Sequence, residues 1–66
     1  MPVVEMTVEE RLNEITRECS KQGIGLTLEY DPVEEKWYGS FDDSRHDIEG
    51  DTLEEVVEGL EAELNL

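Results

Sequence analysis

Basic residues are scarce in this sequence. Five lysines and arginines stand against 19 aspartates and glutamates in 66 residues, a formal net charge of −14. Phosphate backbones and anionic lipid surfaces repel such a chain at ordinary ionic strength, so the charge excludes direct binding to nucleic acid or to a membrane. A basic protein surface would be attracted instead. A cytoplasm held at very high salt would also suit the chain, because it screens the carboxylates from one another.

Cysteine is nearly absent as well. Cys19 stands alone, which excludes an internal disulfide framework and any four-cysteine metal site. Its place on the apolar side of a predicted helix makes it a buried thiol that packs as a small hydrophobe. Long apolar runs are missing too. No stretch approaches the roughly 18 residues of a membrane span, and no basic segment leads into an apolar one near Met1. The expectation is a cytoplasmic protein with neither a signal peptide nor a transmembrane helix.

Catalytic chemistry finds few of its parts. There is no phosphate-binding glycine loop, no serine in a recognisable nucleophile turn and no basic patch interleaved with aromatics. Only one histidine, His46, is present; the pair His46-Asp47 lacks the further ligands that a metal phosphohydrolase needs. Acids cluster around Gly50, but an EF-hand loop with Gly50 in sixth place would put Arg45 first and Val56 twelfth, and neither can bind calcium there. The chain is therefore read as a non-enzyme with no cofactor and no resident metal.

What is present organises one small domain. Thr7-Val8-Glu9-Glu10 has the pattern of a capping box, and Val8, Leu12, Ile15 and Cys19 follow at helical spacing. A helix is predicted from there to about Gln22, stopped at Gly23. The period then changes to two, with Ile24, Leu26, Leu28 and Tyr30 alternating with Gly25, Thr27, Glu29 and Asp31. Asp31-Pro32 turns this strand into a second, Lys36 to Asp42, whose Trp37 and Phe41 point to the core and whose Tyr38 points away. A third strand is expected over 45–49, with His46 and Ile48 on one face. A second helix opens with Asp51 as N-cap and Glu54 three residues on, or with Thr52 and Glu55. Its apolar stripe is Leu53, Val56, Val57, Leu60 and Leu64. Residues 1–6 are expected to form a flexible arm or an edge strand.

The order is αβββα, an α+β domain in which a three-stranded antiparallel meander carries both helices on one face. Among small folds of this order the shape is similar to that of double-stranded-RNA-binding domains. Those domains touch RNA through basic residues at the start of the last helix, where this chain has Asp51, Glu54 and Glu55. The similarity is one of topology and carries no RNA binding with it. At 66 residues the core is small, and folding alone is marginal unless a dimer contact or a partner covers more apolar surface.

Tyr38-Gly39-Ser40-Phe41-Asp42-Asp43, followed by Ile48-Glu49-Gly50-Asp51-Thr52-Leu53-Glu54-Glu55-Val56, resembles the strand-to-helix segment of HicB-like antitoxins. The resemblance implies a small protein that neutralises a basic, RNA-cleaving partner.

Charge distribution points the same way. Ten acids and one base lie between Asp42 and Leu66, a net charge of −9 in that segment. The sequence thus suggests an acidic protein-binding module, an inhibitor or antitoxin-like protein whose carboxylates stand where phosphates would be in the basic site of a nuclease or other nucleic-acid-binding protein. Phage-encoded nuclease inhibitors have a similar composition. The candidate contacts are Asp42, Asp43, Asp47, Glu49, Glu54, Glu55, Glu58 and Glu61, with Tyr38 as an aromatic anchor. The alternative is a salt-adapted, halophilic domain whose acids serve solubility, arranged as a homodimer through the open sheet face or the amino-terminal arm.

Overall fold

A computed structural model describes residues 6–44 and 47–66. Five elements follow in order: α1 (Val8–Gln22), β1 (Leu26–Asp31), β2 (Lys36–Phe41), β3 (Ile48–Gly50) and α2 (Leu53–Leu64). The strands form one antiparallel sheet in the order β1-β2-β3, so the αβββα meander is the fold of the chain. The expectations for residues 1–5 and for Arg45 and His46 lie outside the described residues.

Both ends of α1 are set by local chemistry. The Thr7 hydroxyl accepts from the Glu10 amide while the Glu10 carboxylate accepts from the Thr7 amide, closing the capping box. At the other end Gly23 adopts φ 69°, and the amides of Gly23 and Ile24 both donate to the Cys19 carbonyl. A side chain at Gly23 would strain that left-handed turn. Because Ile24 is held in the helix stop, β1 begins at Leu26 and not at Ile24. The start of α2 resolves between the two predicted caps: Thr52 is the N-cap, its hydroxyl accepting from the Glu55 amide at 3.3 Å.

The four residues between β1 and β2 are organised by Asp31, whose Oδ1 accepts from the amides of Val33 and Glu34. The third strand is shorter and later than expected, running from Ile48 to Gly50 with Asp47 outside it. Gly50 belongs in the ladder because it faces Trp37 where α2 begins. A side chain there would come within 2.6 Å of the Glu55 Cβ.

One side of the sheet carries the core. Ile15, Cys19, Phe41, Val56, Val57 and Leu60 are buried, with Leu12, Ile24, Leu26, Leu28, Trp37, Ile48 and Leu53 packed around them. The helix α2 lies on β2 and β3, and α1 packs beside it against α2. The approach is close at two glycines: a Cβ on Gly39 would stand 2.7 Å from Val56 Cγ1, and one on Gly59 would stand 2.5 Å from Ile48 Cγ2. Their missing side chains let the helix sit directly on the strands. Tyr30 alternates in phase with Leu26 and Leu28, which predicts it for the core, yet it is not buried. It remains 49% exposed because α2 covers β2 and β3 and leaves the far end of β1 uncovered, where Tyr30 leans on Trp37 with ring centroids 5.1 Å apart.

Candidate functional site

Strand alternation puts Thr27, Glu29 and Asp31 of β1, Lys36, Tyr38 and Ser40 of β2, and Glu49 of β3 on the face away from the helices. The register aligns three of them. Glu29 faces Tyr38 across β1 and β2, and Tyr38 faces Glu49 across β2 and β3. The phenol ring is thus flanked on both sides by carboxylates borne on strands about 5 Å away. Asp47 extends this acidic patch, lining with Thr27, Glu29, Tyr38, Gly39 and Ser40 a depression of about 60 Å³. Small-molecule pockets are usually several times larger. The face therefore offers a charged surface and not a cleft for a substrate. Lys36, the one base on it among the described residues, sits at the rim opposite Asp31.

Tyr38 is held in place by Glu34 of the hairpin loop, to which its hydroxyl donates at 2.8 Å. That carboxylate, aided by partial burial and by Glu49 and Asp31, stabilises the neutral phenol and pushes its pKa up to about 12. The tyrosinate absorbance of Tyr38 should therefore rise only near pH 12. Glu34→Gln should move it back toward the ordinary value of about 10. An unchanged titration curve in that variant would show that Glu34 does not hold the ring.

The acids of α2 have a different setting, on the side of the molecule opposite Tyr38. Glu61 is bound by Arg11 of α1 through two bonds, Nη2 to Oε1 at 2.6 Å and Nε to Oε2 at 3.1 Å. This half-buried fork joins the two helices, with Glu54 and Glu58 adding negative potential around the guanidinium. The hydrogen bond from Arg11 holds the Glu61 carboxyl below the ordinary glutamate range, against the opposing effect of burial. A depressed carboxyl stabilises the fold above its unfolded pKa and loses that effect as pH falls through the folded one. Glu61→Gln should therefore lower the Tm at neutral pH, and the difference from the parent should vanish in acid. Equal Tm values at neutral pH would contradict a stabilising pair.

Glu55 is likewise engaged, its carboxylate accepting from the Asp51 amide at 2.8 Å as the α2 cap closes. Glu54 and Glu58 are exposed on α2, and Asp42 and Asp43 are exposed just after β2. The Asp42 amide donates to the Gly25 carbonyl, extending the β1–β2 ladder by one bond. Cys19 is buried nearby; desolvation, with Asp43 and Glu18, pushes its thiol pKa up and so away from reactivity.

The nine predicted contacts therefore do not share one face. Tyr38, Asp47 and Glu49 come together on the open sheet. Glu54, Glu58 and Glu61 lie on the helical side, and Glu55 and Glu61 have structural partners. Asp42 and Asp43 lie past the end of β2, where Asp42 faces Gly25 at the end of the ladder and continues the Tyr38 side of the sheet. Sequence reasoning passed over Glu29 and Glu34, which complete the setting of Tyr38. The period-two alternation already placed Glu29 on the outer face, and pairing the two strands across the Asp31-Pro32 turn would have set it beside Tyr38. Among the described residues no group of three or more His, Cys, Asp or Glu is placed to hold a metal ion, and no helix is long and apolar enough to cross a membrane.

Fold and site together define a small α+β domain with helices on one side of a sheet and a carboxylate-flanked tyrosine on the other. No protein-family model matches the chain, and no curated protein or solved structure is significantly similar to it.

Proposed function

We propose that this protein is a cytoplasmic, non-catalytic binding module that uses its open sheet face to mask the basic nucleic-acid-binding surface of a partner protein, as an inhibitor or antitoxin-like protein does. The observation that carries this reading is the row Glu29–Tyr38–Glu49, extended by Asp47. Strands β1 and β3 hold Glu29 and Glu49 on either side of the aromatic ring, with Asp47 just before β3, on a face with one base among its described residues. Carboxylates held in this way can meet lysines and arginines that otherwise hold phosphates, and the tyrosine supplies an anchor of low conformational entropy. The antitoxin resemblance of segment 38–56 fits this reading, because it spans β2, β3 and the start of α2. Retention of a basic partner should fall steeply as ionic strength rises, since rim charges act over about a Debye length. A retained partner indifferent to salt would contradict the proposal.

A second reading, adaptation to concentrated salt, draws on the placement of acids on both sides of the molecule: Glu49 on the sheet, Glu54 and Glu58 on α2. It expects a loose fold in dilute buffer that tightens in molar salt. The masking reading expects native circular dichroism and a cooperative melt in dilute buffer. Melting curves with and without molar salt therefore separate the two.

A further inference from the structure

We propose that the outer edge of β1, which no described residue pairs, is the docking strand for the partner, and that it takes an extended segment in which basic and apolar residues alternate. This names how the partner of the proposed function is held, and it rests on that reading. The bond from the Asp42 amide to the Gly25 carbonyl sets the alternation of the β1–β2 ladder. Gly25, Thr27, Glu29 and Asp31 turn their backbone groups toward β2, so Leu26, Leu28 and Tyr30 turn theirs outward. No backbone bond among the described residues reaches those outward groups. The other edge of the sheet is blunted, because β3 has three residues, whereas β1 presents six with no proline or lysine.

The two faces of this edge differ in chemistry. Thr27 and Glu29, with Asp31 beyond them, border the acidic open face. Leu26 and Leu28 are only half-buried and Tyr30 is half-exposed, since α2 lies over β2 and β3 and not over β1. A strand added at this edge would place every second side chain beside Glu29 and the acidic face, and the others against Leu26, Leu28 and Tyr30. Lysine or arginine suits the first set and valine, isoleucine or leucine the second. Charge also selects against a second copy of the chain: two molecules at −14 repel, and β1 itself carries two acids and no base.

The test uses the whole protein at low ionic strength with a synthetic peptide alternating lysine and valine. A control peptide holds the same residues in two separate blocks. Amide hydrogen exchange is followed by NMR. The alternating peptide should slow exchange at Leu26, Leu28 and Tyr30 by at least about tenfold, and the block peptide should not. Thr27→Lys combined with Glu29→Lys, both at exposed positions, should remove that protection. Equal binding of both peptides, with changes confined to Tyr38 and Glu49, would overturn strand docking while leaving the acidic face as the partner site. Failure of both peptides to bind would overturn docking and count against the masking function as well. Protection of the three amides in the free protein, with a sedimentation mass of two copies, would assign the edge to self-association and overturn the proposal.

Discussion

Leu60→Ala should destabilise the domain by about 2–5 kcal/mol, enough to leave much of it unfolded at 37 °C. Leu60 is fully buried on α2, and its Cδ1 lies 3.5 Å from where a Gly39 Cβ would stand, so it fills the space between helix and sheet. Truncation removes three carbons' worth of burial and leaves a cavity that closely seated neighbours cannot close. Val56 and Val57, one turn earlier on α2, are already fully buried, and Gly39 brings no side chain that could move in. The effect is large in proportion because a domain of 66 residues has a stability of only roughly 3–10 kcal/mol in total. Urea denaturation followed by circular dichroism measures it. A midpoint within error of the parent would mean that α2 is not seated on β2 as described.

Reversing the open face should have the largest effect on binding. Glu29→Lys, Asp47→Lys and Glu49→Lys together add two charges at each position and change the net charge from −14 to −8. All three residues are exposed, so the fold should survive and the circular dichroism should stay native. Each reversal replaces an attraction to a basic partner with a repulsion, and close charge pairs across an interface couple by about 1.5 kcal/mol or more. Affinity for the partner should fall by at least about a hundredfold, which is roughly 2.7 kcal/mol. Glu54→Lys with Glu58→Lys supplies the control. It takes the charge to −10 through two reversals, but on the helical side of the molecule. If net charge alone governed binding, the two variants would weaken it nearly in proportion to charge; a site on the sheet predicts a much smaller loss for the control. Isothermal titration of the purified partner distinguishes these outcomes.

Much of the fold is legible in the sequence because its signals are local. Thr7 and Glu10 lie three residues apart and determine each other's geometry, Gly23 stops α1, and the alternation from Leu26 to Tyr30 assigns each residue to a face. The exposed position of Tyr30 is not legible in this way. It depends on where α2 ends up over the sheet, which follows from the close seats at Gly39 and Gly59 and not from any pattern within β1. The candidate site divides along the same line. Composition draws attention to the acids of the last third of the chain, yet Glu55 is drawn into its helix cap and Glu61 into a fork with Arg11, a residue 50 positions earlier. The row around Tyr38 takes one member from each of three strands, so only strand register brings it together.

Competition by nucleic acid separates masking of the partner's nucleic-acid site from a contact elsewhere on the partner. The partner, captured on the immobilised protein at low ionic strength, is challenged with increasing RNA or DNA while its release is measured. If the sheet face stands in for phosphates, nucleic acid and protein exclude each other, and release should approach completion as the partner's own nucleic-acid site fills. A partner that binds nucleic acid while still held by the protein would place the contact elsewhere on its surface and contradict the masking function.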